Sequence, residues 1–312
     1  MKFRHSVTRA TRRDVLQFGL GAALASTLFP ARVLSAEKMR ARPIPSSGEA
    51  LPVIGLGTSR VFDVGEDAAG RSACRAVLEA LQAGGGTVVD SSPMYRSAEQ
   101  VTGDLAAELR LTDQLFWATK VWADGADAGI EQMEDSMRLF DTRQIDLMQV
   151  HNLRDWQAHM PVLRDWKAEG RIRYIGITHF RAEAFADLER VIAATELDFV
   201  QLNYSIAERE AEERLLPLCA DKGIATLINR PFARGALFAA VEGRQLPEWS
   251  AEFGAVSWGQ FFLKFILSHP AATCLIPATR KVTHMVDNVG AGYGPLPDQE
   301  QRRKMIAFMD HV

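Results

Sequence analysis

Short apolar runs, rich in β-branched residues, alternate with longer segments of helical spacing along most of the chain. Val53-Ile54-Gly55-Leu56-Gly57 reads as a first core strand. Residues 71–83 then carry apolar side chains at helical intervals (Val77, Leu78, Leu81) and stop at Gly84-Gly85-Gly86, a helix-ending signal. The same rhythm predicts strands at 87–90, 116–120, 145–151, 174–178, 199–203, 224–228 and 273–277. Helices are predicted at 97–109, 130–140, 160–169, 182–194, 212–222 and 257–268. Eight short apolar strands alternating with helices predict a closed parallel sheet, a (β/α)8 TIM barrel, in one domain. An open doubly wound sheet is the rival architecture. It needs a glycine-rich fingerprint after its first strand, and Gly55-Leu56-Gly57-Thr58-Ser59-Arg60 lacks the third glycine.

The chain has 312 residues, 47% hydrophobic and 24% charged, enough for one large core. Its net charge of −3 gives no electrostatic case for nucleic acid as a partner. Cys74, Cys219 and Cys274 form no metal-binding or redox spacing, and an odd number cannot all pair internally. The N-terminus departs from the barrel rhythm. Lys2, Arg4 and Arg9 precede Thr11-Arg12-Arg13-Asp14-Val15-Leu16, and a mildly apolar Gly/Ala-rich run at 18–29 follows. That run is shorter than the ~20 residues needed to span a bilayer. A basic start, a short apolar stretch and a small-residue exit are the marks of a secretory leader, and the paired arginines resemble the twin-arginine export motif. The resemblance implies a leader at 1–36, cut after Ser35 or Ala36, and a mature protein at 37–312. It also implies the twin-arginine translocation machinery as a partner, a periplasmic destination, and no stable membrane span once cleaved. Proteins on that route travel folded, often with a cofactor inside.

Three predicted strands each end on one polar residue. The strand at 87–90 ends at Asp90, with Tyr95 in the loop beyond. Those at 116–120 and 145–151 end at Lys120 and His151. Barrel enzymes build their sites from the C-terminal ends of strands. An acid, a phenol, an amine and an imidazole converging there point to proton transfer.

Asp90-x4-Tyr95, Lys120 and His151, in this order at successive strand ends, resemble the aldo-keto reductase family. Gly55-Leu56-Gly57-Thr58, Gln201-Leu202-Asn203-Tyr204-Ser205 and Ile276-Pro277-Ala278-Thr279-Arg280 leading to Asp287-Asn288 agree with it. The similarity covers about residues 52–288. It implies a barrel that binds an extended nicotinamide dinucleotide and interconverts aldehydes or ketones with alcohols. Tyr95 would be the proton donor, Lys120 would lower its pKa, Asp90 would hold Lys120 charged, and His151 would orient the carbonyl oxygen. In the family a Ser-Asn pair after the fifth strand and a Gln on the sixth hold the carboxamide. Gln201 matches, but the pair here is Thr178-His179. The family tyrosine that stacks on the nicotinamide is replaced by Asn229, which leaves Phe232, next to Pro231, or a differently wound loop to supply the stack. Thr279, Arg280 and Lys281, with Asn288, match the segment that receives the adenosine phosphate, and Arg280 favours NADP(H) over NAD(H). Phe62, Met94 and Trp122 are expected to line the substrate pocket. Trp156, Trp249 and Trp258 are expected in the core. Two other readings stand beside this one: a Schiff-base enzyme using Lys120 as nucleophile, and a nucleotide-binding redox sensor with little turnover.

Overall fold

The computed structural model describes residues 38–312, so the expected leader at 1–36 lies outside the described residues. Eight strands form one parallel sheet in chain order: β3 (Leu56–Gly57), β4 (Val88–Asp90), β5 (Phe116–Val121), β6 (Ile145–His151), β7 (Ile172–Thr178), β8 (Phe199–Asn203), β9 (Ala225–Asn229) and β10 (Cys274–Leu275). A parallel bridge between Ile54 and Leu275 joins the two ends, and the sheet is a closed (β/α)8 barrel as expected. The first strand is shorter than the 53–57 expected. Gly55 and Gly57 pass so close to Val88 and Ile276 that a Cβ on either would lie 2.8 Å from its neighbour's backbone oxygen. Closure therefore needs glycine at both positions, and the resulting crossing leaves little regular ladder.

The helices α1 (Ala68–Ala83), α2 (Ala98–Glu108), α3 (Ala126–Leu139), α4 (Trp156–Ala168), α5 (Phe185–Ala194) and α6 (Leu215–Asp221) each follow a strand. They are succeeded by α7 (Ala236–Ala240), α8 (Trp258–Leu267), α9 (Val282–Gly290) and α10 (Gln299–Met309). Helices α7, α9 and α10 are additions to the elements expected from the pattern. Alternation along the strands divides the core in two. Val89, Trp117, Met148, Ile175 and Val200 pack outward with the helices in the larger cluster, which Trp156, Trp249 and Trp258 border. Val88, Phe116, Ala118, Leu147, Tyr174, Phe199, Ala225, Leu227 and Cys274 form a second cluster inside the barrel.

The Pro/Ser-rich stretch before the barrel holds structure that the pattern did not predict. Strands β1 (Ala41–Pro43) and β2 (Ala50–Pro52) pair antiparallel, and Ile44 and Leu51 join the inner cluster. The hairpin thus plugs the end of the barrel where the strands begin. Arg42 fastens it by donating to the backbone oxygens of Leu267 at 2.5 Å and His269 at 2.8 Å. Leu267 is the last residue of α8, where carbonyls lack intrahelical partners, and His269 lies just beyond its C-cap. None of the described helices is long and apolar enough to cross a membrane.

Candidate active site

The inner face of the barrel changes character along the strands. Below lies the apolar cluster; at the C-terminal ends the inward positions become Asp90, Lys120, Gln149, His151, Gln201 and Asn229. Lys120 is fully buried, and its Nζ donates to Asp90 Oδ2 at 2.7 Å and to the Ser91 carbonyl at 2.5 Å. A buried ammonium is tolerable only when paired and hydrogen-bonded in this way. Asp90 Oδ1 accepts from Gln201 Nε2 at 2.7 Å and from Gln149 Nε2 at 3.1 Å. Gln201 Oε1 in turn accepts from Thr178 Oγ1 at 3.1 Å and Asn229 Nδ2 at 3.3 Å. Gly176 gives Gln149 its room, since a Cβ there would lie 3.1 Å from Gln149 Cγ. Gln149 is the main site residue that the sequence reading passed over. Its only signal was parity, two positions before His151 on the same strand.

Tyr95 closes a short 3-10 turn, Pro93–Tyr95, capped by Ser92, whose Oγ accepts from the Met94 amide at 3.2 Å. The turn is fixed to the opposite loop because Ser97 Oγ donates to Asp63 Oδ1 at 2.8 Å. Lys120 Nζ stands 5.2 Å from the centre of the tyrosine ring, and the His151 ring meets that ring edge-on at 6.1 Å. His151 Nδ1 pairs with Ser92 Oγ at 3.0 Å. This contact fixes the orientation of the imidazole beside Tyr95. The four expected catalytic residues therefore meet at one place.

Their ionisation is set by burial and by the charges beside them. Burial of the hydroxyl is the largest influence on Tyr95 and raises its pKa; Lys120 lowers it, the expected direction, without reversing the effect of burial. The phenol thus keeps its proton more firmly than a free tyrosine. Burial alone would lower the pKa of Lys120, but Asp90 and the phenol together hold it above its ordinary value. His151 is pushed down to about 3, first by burial and then by Lys120 and His179, so its imidazole is neutral across the physiological range. Behind β5, Glu99 of α2 is buried, accepts from Thr119 and Ser136, and is raised to about 7, chiefly by burial.

The other expected positions divide. Gln201 faces the interior, but its nitrogen is engaged by Asp90 and its oxygen by Thr178 and Asn229, so it enters the acid's network as well as standing at the expected carboxamide position. The half-buried His179 ring stacks on Phe180 with centroids 5.4 Å apart, and its Nδ1 accepts from the Arg181 amide at 3.2 Å. Pro231 is buried, and Phe232 packs against Phe238 at 4.9 Å. Thr279 is buried and accepts from the Lys281 amide at 3.0 Å; Asn288 is buried; Arg280 and Lys281 are exposed. Met94 is 40% exposed, and Trp122 carries the Arg154 guanidinium 4.1 Å above its ring. Phe62 has no exposed surface and belongs to the outer core cluster, which corrects its expected place on a pocket wall. Its backbone amide bonds the Thr58 carbonyl at 3.0 Å, a turn that drives the ring inward under the loop.

Residues 53–304 match the family model for the aldo/keto reductase family. The chain belongs to that family. It is an oxidoreductase of the aldo/keto type, and its barrel and strand-end constellation fit that membership. It is 27% identical over 258 residues to methylglyoxal reductase YeaE of Escherichia coli, covering 80% of this chain and 89% of that protein. It is 29% identical over 217 residues to aldo-keto reductase YhdN of Bacillus subtilis, covering 64% of this chain and 62% of that one. Among solved structures it is similar to an aldo/keto reductase from Klebsiella pneumoniae in complex with NADP and acetate, with a TM-score of 0.70 at 26% identity. That likeness covers 87% of this chain and 95% of the other.

Proposed function

We propose that the chain is an NADP(H)-dependent reductase of aldehydes or ketones, reversible toward alcohols, with Tyr95 as general acid and base. The observation that carries this reading is the buried Asp90–Lys120 pair beside the Tyr95 ring and the neutral His151. Bound reduced nicotinamide would supply hydride to the carbonyl carbon. An alkoxide is a far stronger base than a phenolate, so a tyrosine that retains its proton at neutral pH is loaded to deliver it. The Lys120 ammonium then stabilises the phenolate left behind, and Asp90 keeps that ammonium charged and in place. His151 Nε2, with Nδ1 held by Ser92, is the donor that orients the carbonyl oxygen. A protonated Lys120 is a poor nucleophile, which weighs against the Schiff-base alternative.

The residues fit a nicotinamide dinucleotide. Asn203 and Asn229 are register partners at the ends of β8 and β9, and the side-chain oxygen of each is buried without a hydrogen-bond partner among the described residues. Such acceptors suit a donor amide. Thr178, His179, Gln201, Pro231 and Phe232 would surround the nicotinamide; Thr279, Arg280 and Asn288 would receive the adenosine end. Arg280 suits a 2′-phosphate, and similarity to an NADP complex supports NADP(H) as the preferred form. Tyr95→Phe tests the reading: reduction of a simple aromatic aldehyde should fall by about two orders of magnitude or more, while fluorescence titration should show NADPH still binding more tightly than NADH. A fully active variant would refute it. We also read residues 1–36 as a twin-arginine leader that delivers the folded barrel, with NADP(H) inside, to the periplasm. Native mass spectrometry of protein recovered from that compartment should show the nucleotide, and its absence would count against export of a loaded enzyme.

A further inference from the structure

One buried acid has no part in the chemistry above. Glu99 is the second residue of α2, lies against the outer side of β5, and is 2% exposed. Thr119 Oγ1 donates to its Oε1, and Ser136 Oγ of α3 lies 3.0 and 3.2 Å from its two oxygens. Both of these hydroxyl residues are fully buried. Gly103 lets α2 and α3 close over the group, since a Cβ there would run into the Leu139 carbonyl. A carboxyl shut away among hydroxyls, with no cation in contact among the described residues, costs free energy that an apolar residue would avoid. Packing alone therefore does not account for it. Two routes tie it to the reacting centre. Thr119 precedes Lys120 in β5, and its carbonyl accepts from Gln149 Nε2 at 3.4 Å, the same nitrogen that holds Asp90 Oδ1 at 3.1 Å. The second route is charge. Burial is the main influence that raises the acid to about 7, the two hydroxyls oppose it, and Lys120 and Asp135 are the charged groups that act on it. The interaction of two charges is mutual, so the carboxylate acts on Lys120 as Lys120 acts on it.

We propose that Glu99 is a positioning residue for the reduction: through Thr119 it sets the stretch of β5 that carries Lys120, and its charge moderates the field of that ammonium at Tyr95. The assignment rests on Tyr95 being the proton donor. The sign follows from the charges. Below about 7 the acid is neutral, and the full ammonium field favours the phenolate formed as the proton leaves. Above that value the carboxylate opposes the field, and the transfer slows. NADPH-loaded enzyme is mixed with benzaldehyde, and the single-turnover rate is followed on both sides of neutrality for wild type, Glu99→Gln and Ser136→Ala. The wild-type rate should fall about threefold or more as pH rises through 7, the scale of one charge acting across a partly polarisable interior. Glu99→Gln should keep its low-pH rate without that fall. Ser136→Ala removes a donor from the carboxylate, so the same fall should come at higher pH. Superimposable profiles for wild type and Glu99→Gln overturn the proposal. So does a Glu99→Gln rate lowered equally at every pH, which marks a role in folding alone. If Glu99→Gln does not fold, an unmoved fall in Ser136→Ala overturns it instead. If wild type reduces no aldehyde, the reductase reading fails, and carbon-13 NMR of labelled tyrosine decides the coupling separately. The Tyr95 ring signal, assigned with Tyr95→Phe, should step near pH 7 in wild type and not in Glu99→Gln. The absence of a step removes the coupling.

Discussion

The two ends of the barrel are built from the same strands and treat charge in opposite ways. Where the strands begin, Arg173 pairs with Glu49 of the hairpin and with Asp146 at 2.6 Å, and Lys167 pairs with Asp198 at 2.6 Å. The Asp198 carboxylate also accepts from the Ile175 amide, and the Tyr174 hydroxyl bonds Ser47 at 2.7 Å. A cavity of about 400 Å³ opens there, yet its charged lining residues are paired with each other or with neighbours. Where the strands end, the buried Asp90–Lys120 pair faces a tyrosine and a neutral histidine. Charge that is matched within the chain holds the fold together. Charge that also faces a proton-transferring group is available to the reaction.

Breaking the pair at the upper end should have the largest effect. Lys120→Met removes the cation that stabilises the phenolate and leaves the Asp90 carboxylate buried beside two amides. Reductase activity should drop by about a hundredfold or more, and the thermal midpoint should fall as well, since stranding one member of a buried pair costs about 3–5 kcal/mol. An active, equally stable variant would remove the basis of the contrast. Arg173→Ala makes the matching cut at the lower end. It should cost about 1–2 kcal/mol of stability, read by denaturant melts, with kcat and KM close to wild type. A loss of activity there without unfolding would show that the ends are not separable.

The smallest effect is on pH dependence, behind the upper site. Glu99 has a folded pKa raised to about 7 above an unfolded value near 4.5. The folded state therefore binds more protons in that interval. The contribution is fully present below about 4.5 and is lost as pH rises through 7. His151 has the opposite sign. Its folded pKa near 3 lies below the ordinary 6.5, so the stability due to its neutral form is present above 6.5 and is lost as pH falls toward 3. Glu99→Gln keeps a neutral partner for Thr119 and Ser136. It should raise the melting temperature by a few degrees at pH 8 and leave it nearly unchanged at pH 5. Equal shifts at both pH values would refute the buried acid's titration.

Much of the barrel was legible because strands buried on both faces must be apolar until they reach solvent. The polar residues that interrupt those runs, Asp90, Lys120 and His151, marked the site for the same reason. Helix spacing placed α1 to α6 and α8 within a few residues. The β1–β2 hairpin was hidden by its prolines and serines, whose turn chemistry reads as a linker until Ile44 and Leu51 are seen plugging the barrel. The fate of Phe62 was hidden by a local turn that sends it into the core.

What the sequence determined alone was the order of strands and helices, the residue at the end of each strand, and the chemistry those residues can carry, since all three depend on near neighbours in the chain. Only the closed sheet decided that Gln149 and Gln201, 59 and 111 residues from Asp90, would clasp its carboxylate. Only the closed sheet decided that burial would outweigh the ammonium at Tyr95. Desolvation and long-range hydrogen bonds depend on what surrounds a group in space, and no pattern along the chain contains that distance.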